Sequence, residues 1–141
     1  MRIVFNPNNS SEYFVASWGH GVFRYSGDVL KNRYNQDNST LQTIFPNQPY
    51  CRISGMTYDD KGNLWVANAM VTNSISVRKR DTTWVGFPYY NLINSDRFSD
   101  LHFSPYGSLW LILPSGEGLF VLDPGDNIDV MTDERYKKNK T

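Results

Sequence analysis

The chain has 141 residues, of which 40% are hydrophobic and 15% aromatic, and its 14 basic side chains are balanced by 14 acidic ones. No apolar run approaches the roughly 18–20 residues of a membrane-spanning helix, and the balanced charge argues against a nucleic-acid partner. The single cysteine, Cys51, excludes an internal disulfide and a cysteine-rich zinc site, and we interpret it as a packing residue.

The first 45 residues contain four strand-like pieces separated by turn-forming or polar residues. Asn, Pro and Gly favour tight turns, and polar residues at every second position indicate a strand with one buried face. The strands predicted in this first unit are 3–5, 13–17, 21–25 and 41–45, with a turn at 6–9. The segment 26–40 is rich in Asn, Asp and Ser, and we predict it as a surface insertion.

Two further units repeat this order along the chain. The second unit has predicted strands at 55–58, 64–68, 75–78 and 83–87, with a turn at 59–62. The third has them at 100–103, 109–113, 118–123 and 127–131, with a turn at 104–107. No stretch shows sustained helical periodicity, so we predict an all-β protein.

The second strand of each unit carries one short phrase with an aromatic anchor. Its forms are Tyr-Phe-Val-Ala-Ser at 13–17, Leu-Trp-Val-Ala-Asn at 64–68 and Leu-Trp-Leu-Ile-Leu at 109–113. The anchors Phe14, Trp65 and Trp110 are 51 and 45 residues apart. Four strands repeated at this period are typical of β-propeller blades. We expect the three anchors to wedge between neighbouring sheets.

The predicted architecture is three four-stranded antiparallel blades of a β-propeller, forming a partial ring. The blades span 1–46, 47–90 and 91–132, and 133–141 is a tail or linker. Propellers close with about four to eight blades, and three blades would leave two apolar sheet faces open. We therefore expect a fragment of a longer propeller chain or a homo-oligomer, for example two three-bladed halves that close one ring.

The repeat resembles two groups of bacterial propellers. Segment 60–68, Asp-Lys-Gly-Asn-Leu-Trp-Val-Ala-Asn, resembles the D-x-x-G-x-L-W-[IV]-[GA]-[TN] core of two-component-regulator propeller repeats from Bacteroidetes. Segment 105–110 keeps the Gly and the Trp but lacks the leading acid. Segments 6–8 with 15–23, and 75–78 with 83–87, are more similar to the propeller proteins of the type IX (Por) secretion system.

The resemblance implies a non-catalytic module of a surface sensor or a secretion-system component, located in the periplasm or at the cell surface. Its expected ligand is a glycan, a lipopolysaccharide-like molecule or a protein, and we expect no cofactor and no metal. Asp59 and Asp60 lack the full spacing of a calcium loop, so we interpret them as turn residues.

Ligands of propellers usually meet the face that carries the inter-blade loops and the loops between second and third strands. The ligand-binding residues that we predict on that face are Trp18, His20, Arg52, Tyr89, Tyr90 and Arg97. Aromatic rings stack on sugars, and Arg presents a rigid fork of donors to carboxylates or phosphates. Alternatively, Arg52 and Arg97 cap loops or pair with Asp59, Asp60 or Asp100.

Two other functions remain open at this level. A streptogramin-lyase-like enzyme would use His20 and Glu117 with magnesium on the same face of the ring. A purely structural fragment would have no ligand of its own. The sequence contains no nucleophile elbow and no phosphate-binding glycine pattern before a helix, so we predict that the chain is not an enzyme.

Overall fold

The computed structural model describes residues 2–93, 101–114, 118–125, 127–129 and 136–139. These residues contain twelve strands and no helix, which confirms the all-β prediction. The strands are β1 (Arg2–Asn6), β2 (Asn9–Ala16), β3 (Val22–Ser26), β4 (Val29–Tyr34), β5 (Ile53–Tyr58), β6 (Leu64–Asn68), β7 (Ile75–Arg78), β8 (Trp84–Phe87), β9 (Leu101–Phe103), β10 (Leu109–Leu113), β11 (Gly118–Leu122) and β12 (Tyr136–Asn139).

The strands form three four-stranded antiparallel sheets, and within each sheet the strands follow one another in chain order. We call them blade 1 (β1–β4), blade 2 (β5–β8) and blade 3 (β9–β12). No helix among the described residues is long and apolar enough to span a membrane. The predicted partial ring of three blades is therefore confirmed.

Blade 2 lies in the middle, so both of its faces are buried. Leu64 and Val66 of β6 belong to the core shared with blade 1, whereas Trp65 and Ala67 belong to the core shared with blade 3. Successive side chains of a strand point to opposite faces of its sheet. Because each face meets a neighbouring sheet, all five residues of β6 are buried.

The first two aromatic anchors occupy inter-blade cores, as predicted. The ring of Phe14 on β2 lies 6.3 Å from the ring of Tyr58 on β5, and the ring of Trp65 on β6 lies 5.5 Å from that of Phe103 on β9. Phe14 and Trp65 have no solvent-exposed surface. Each anchor therefore packs against the next blade in chain order.

The prediction that Trp110 also wedges between two sheets is wrong for this structure. Leu109 and Leu111 of β10 face blade 2 and are buried, whereas Trp110 and Ile112 lie on the opposite face of the sheet. Trp110 is 42% exposed and Ile112 is 53% exposed. Trp110 has the same orientation as Phe14 and Trp65, but the described chain places no further sheet against it.

Two of the predicted fourth strands are also wrong. In blade 1 the fourth strand is Val29–Tyr34, inside the segment 26–40 that the sequence predicts as an insertion, and 41–45 is not a strand. In blade 3 the fourth strand is Tyr136–Asn139, inside the predicted tail. Of the predicted strand 127–131, residues 127–129 lie outside any strand and 130–131 lie outside the described residues. The fourth strand of blade 2 was predicted correctly.

The turn between β5 and β6 shows why an acid precedes Gly62, and the acid that acts there is Asp59, one residue before segment 60–68. The buried carboxylate of Asp59 accepts hydrogen bonds from the backbone N–H groups of Lys61 and Asn63, each at 2.9 Å. It also accepts bonds from the side-chain amide of Asn63 at 2.8 Å and from the indole Nε1 of Trp65 at 2.9 Å. Gly62 has φ of 85°, a left-handed conformation that favours glycine. The acid thus fixes both the turn and the anchor ring.

Candidate functional site

The loops named in the sequence analysis gather at one edge of the sheets. Ala16 pairs with Val22 and Ala67 with Ile75, so the β2–β3 and β6–β7 loops leave their sheets at equivalent ends. Ile53 pairs with Asn68, so the connection between blades 1 and 2 enters β5 at that same edge. Residues from two blades and from the segment that joins them therefore meet there.

The most distinctive group at this edge is a stack built around Arg52. Its guanidinium carbon lies 4.4 Å from the ring centre of Trp18 and 5.5 Å from that of Tyr50. Its Nη1 donates to the sulfur of Met70 at 3.5 Å. We call Trp18, Tyr50, Arg52 and Met70 the Trp18–Arg52 platform. Trp18 is 54% exposed, so the indole presents much of its surface to solvent.

Backbone hydrogen bonds attach the loop that carries Trp18 to the segment that carries Arg52. Cys51 donates to the carbonyl of Gly19 at 3.0 Å and accepts from the N–H of Gly21 at 3.1 Å. The hydroxyl of Ser17 accepts from the N–H of His20 at 2.8 Å. A Cβ on Gly19 would lie 2.9 Å from the ring of Tyr50, so only glycine permits this close approach. The platform is therefore held from both sides.

A buried amide connects the platform to the neighbouring loops. Asn68 Nδ2 donates to the carbonyl of Arg52 at 2.9 Å, and Asn68 Oδ1 accepts from the N–H of Gln42 at 2.7 Å. The side chain of Gln42 in turn accepts from the N–H of Asn73 at 2.7 Å. Sequence reasoning missed this role of Asn68. The available signal was an amide at the end of the Leu-Trp-Val-Ala-Asn phrase, where an inward-facing polar side chain needs partners.

A groove of about 230 Å³ lies beside the platform and shares Met70 with it. Its lining residues come from the connection between blades 1 and 2, the β6–β7 loop and the segment after β8, and they are Gln42, Thr43, Ile44, Met70, Val71, Thr72 and Tyr90. Tyr90 is 42% exposed. The groove offers hydroxyl and amide groups next to apolar surface, a combination suited to a polar ligand with a hydrophobic face.

The other predicted ligand-binding residues have different surroundings. His20 is exposed and follows Trp18 closely in the same loop. Tyr89 is buried, and its ring lies 6.1 Å from Phe87 and 5.5 Å from Phe120. Tyr89 therefore packs in the core between blades 2 and 3 instead of facing solvent. Arg97 lies outside the described residues.

The environment of Cys51 makes it unsuitable as a nucleophile. Burial raises the pKa of its thiol to about 12, although the nearby charge of Arg33 opposes this shift. A thiol with such a pKa is protonated at neutral pH, and only the thiolate attacks substrates or binds metals. The buried position of Cys51 in the core between blades 1 and 2 agrees with a packing role.

The described residues contain no group of three or more His, Cys, Asp or Glu side chains placed to hold one metal ion. Asp59, the acid of the β5–β6 turn, already accepts four hydrogen bonds, three from its turn and one from the indole of Trp65. Glu117, which the lyase-like alternative needs together with His20, lies outside the described residues. That alternative stays a prediction.

No protein-family model matches the chain, and no curated protein matches it. Among solved structures, it is similar to PorZ, an essential bacterial surface component of the type IX secretion system of Porphyromonas gingivalis, with a TM-score of 0.83 and 24% identity. That match covers 94% of this chain and 18% of PorZ.

Two sensor domains from B. thetaiotaomicron are similar as well. The extracellular domain of BT3049, described as a hybrid two-component system, matches with a TM-score of 0.65 and 19% identity over 97% of this chain and 16% of that one. The extracellular domain of BT4673, described as a one-component system, matches with a TM-score of 0.62 and 13% identity over 97% of this chain and 17% of that one. The chain thus spans less than a fifth of the length of these structures, and the likeness establishes the propeller fold.

Proposed function

We propose that the chain is a non-catalytic binding module that binds an anionic glycan at the Trp18–Arg52 platform, in the periplasm or at the cell surface. The observation that carries the proposal is the guanidinium of Arg52 lying 4.4 Å from the half-exposed ring of Trp18. The resemblance to surface and extracellular propellers supports the location.

The chemistry of the platform suits a sugar that carries a carboxylate or a phosphate. An exposed indole offers a flat apolar surface to the C–H face of a pyranose. The guanidinium is planar and can donate two parallel hydrogen bonds to one anionic group. Because Trp18 and Tyr50 lie against the guanidinium of Arg52, they limit its orientations and lower the entropy that binding would otherwise cost.

The adjoining groove extends the surface available to such a ligand. Met70 belongs to both the platform and the groove, and the hydroxyl-bearing residues Thr43, Thr72 and Tyr90 line the groove. A chain of several sugar units could therefore contact the indole with one unit and the groove with the next. A protein ligand with an acidic side chain would use the same donors, and the experiment below distinguishes the two.

Binding should be measured by calorimetry with three probes: an anionic lipopolysaccharide, a neutral polysaccharide and an acidic peptide. We expect the anionic lipopolysaccharide to bind and the other two to bind at least tenfold more weakly. Trp18→Ala should weaken binding by roughly tenfold or more, since losing roughly 60 Å² of apolar contact at about 25 cal/mol per Å² costs about 1.5 kcal/mol, which is about tenfold in affinity. Arg52→Lys should also weaken binding, although it keeps the charge, because Lys lacks the planar fork.

The matched control is Tyr106→Ala. Tyr106 is 95% exposed and lies in the turn between β9 and β10, at the opposite edge of the sheets. This variant should bind the anionic lipopolysaccharide like the wild type. If Trp18→Ala and Arg52→Lys also bind like the wild type, or if no probe binds, the proposal is wrong. Preferential binding of the acidic peptide would replace the glycan with a protein ligand.

A further inference from the structure

The two inter-blade contacts among the described residues follow one rule. In each, an anchor ring on the second strand of one blade meets an aromatic ring at the end of the first strand of the next blade. Phe14 meets Tyr58 at 6.3 Å, and Trp65 meets Phe103 at 5.5 Å. Tyr58 pairs across its sheet with Leu64, and Phe103 pairs with Leu109. We call Tyr58 and Phe103 the receiver rings.

Blade 1 has a receiver ring of its own, which is Phe5. Phe5 pairs with Tyr13 of β2 just as Tyr58 and Phe103 pair with Leu64 and Leu109. The residue after it, Asn6, accepts the N–H of Asn8 in the following turn, as Asp59 and Ser104 accept backbone N–H groups in theirs. Phe5 is 59% exposed. It therefore occupies the receiver position on a face that no described sheet covers.

The described blades thus present two complementary outer faces. On blade 3, Trp110 borders an apolar groove of about 480 Å³ that Ile112 and Leu119 also line. On blade 1, Phe5 and Tyr13 lie 5.3 Å apart, and Tyr13 and Tyr25 are stacked at 5.2 Å. These six residues are aliphatic or aromatic, and none is Asp, Glu, Lys, Arg or His. Apposition of the two faces would therefore bury apolar surface without burying an unpaired charge from this set.

We propose that a second copy of this chain covers these faces, with Trp110 of each copy packed against Phe5 of the other. This contact would repeat, between two copies, the packing of an anchor ring on a receiver ring that occurs twice between the blades of one copy. It joins different patches of the two copies, so it is heterologous, and a heterologous contact closes only if the rotation between copies completes a ring. The described blades of two copies number six, which is within the range of about four to eight seen in closed propellers.

The test uses the whole chain and measures mass in solution by light scattering across a wide range of protein concentration. The wild type should have the mass of two copies. Phe5→Lys and Trp110→Glu should each give single copies, with self-association weakened at least roughly tenfold, because either change breaks both contacts of the ring. Circular dichroism should be unchanged, since Phe5 is 59% exposed and Trp110 is 42% exposed in the single copy.

Mixing the two variants gives the sharper result. A mixed pair has one wild-type contact, between Trp110 of the first variant and Phe5 of the second, and one contact in which Lys faces Glu. The mixture should therefore recover the two-copy mass, whereas each variant alone should not. The control Tyr106→Glu places a charge on an exposed turn away from both faces and should leave the two-copy mass unchanged.

Three results would overturn the proposal. A wild-type chain with the mass of a single copy would leave the two faces to another partner. A mass that keeps rising beyond two copies would indicate an open assembly. A two-copy mass that survives Phe5→Lys, or is not restored on mixing, would indicate a different interface. None of these results depends on the glycan assay, so this proposal and the proposed function can fail separately.

Discussion

Replacing Trp65 and Trp110 by alanine tests how far the repeat determines the energetics of the blades. The two residues hold the same position in successive repeats and point in the same direction along the row of sheets. Trp65 is fully buried, whereas Trp110 is 42% exposed. If the neighbouring sheet determines the contribution of the ring, the two substitutions should lower the free energy of unfolding by very different amounts.

The burial of the two rings gives the expected difference in the free energy of unfolding. A buried Trp side chain removes about 200 Å² from water, which at about 25 cal/mol per Å² sets an upper bound near 5 kcal/mol. Trp65→Ala also leaves a cavity between blades 2 and 3 and removes one of the four donors to Asp59. We expect a loss of about 3–5 kcal/mol. Trp110→Ala leaves no closed cavity, and we expect about 1 kcal/mol.

The assay is urea unfolding followed by circular dichroism, at a concentration where each variant is a single copy so that association does not contribute. Trp65→Phe is the intermediate variant. It keeps an aromatic ring and loses the indole donor at 2.9 Å from Asp59, so it should cost about 1–3 kcal/mol and should fold even if Trp65→Ala does not. Equal losses for Trp65→Ala and Trp110→Ala would refute the reasoning.

Two further predictions concern titratable groups. Burial raises the pKa of Glu12. Hydrogen bonds from Asn6 and Arg24 and the charge of Arg24 together lower it by more than burial raises it, so the pKa lies below the ordinary value of 4.5. A carboxyl group whose pKa is lowered by folding stabilises the fold at pH above its unfolded-state pKa. This stabilisation is lost as the pH falls through the folded-state pKa. The melting temperature of the wild type should therefore fall more steeply than that of Glu12→Gln from about pH 5 downward, and parallel pH profiles would contradict this. Because burial raises the pKa of Cys51 to about 12, a thiol reagent at mildly alkaline pH should react slowly with the native chain. It should react rapidly with one thiol per chain in denaturant, and equal rates in both states would show that Cys51 is accessible.

The repeated phrase was sufficient to predict the blades because it combines three local signals. A turn-forming acid with Gly62 precedes a strand, the strand alternates between two faces, and one face carries a large aromatic residue. In the structure Asp59 accepts the N–H groups of its own turn and the indole of Trp65, so all three signals belong to one local unit. Such units form from contacts close in sequence, and a sequence pattern records them.

The fourth strands of blades 1 and 3 were not predicted because they lack the combination of turn, alternation and aromatic anchor. In β4 all residues but Tyr34 are exposed. Because neither face of this strand is buried, its sequence Val-Leu-Lys-Asn-Arg-Tyr does not need to alternate apolar and polar residues, and it does not. Leu41, which begins the apolar run predicted as the strand, is 2% exposed and packs in the core between blades 1 and 2 outside any strand. An apolar run indicates burial, but it does not say whether the backbone joins a sheet.

The sequence predicted the loops and the kinds of residue that a ligand site would use. Only the tertiary structure shows how these side chains are arranged around Arg52. Trp18 and Arg52 are 34 residues apart, and only the attachment of the β2–β3 loop to the segment before β5 places the guanidinium over the indole. Tyr89 and Tyr90 are adjacent and were predicted alike, yet one ring is buried between blades and the other lines the groove.

The sequence by itself determined the repeating unit, its turn and the direction in which each anchor ring points, because these depend on hydrogen bonds and alternation within a single blade. Only the tertiary structure decided which anchors are buried and which aromatic rings meet Arg52. Burial of a sheet face depends on whether another sheet lies against it, and that is a property of the neighbour. Phe14 and Trp65 have such a neighbour in the described chain, and Trp110 does not.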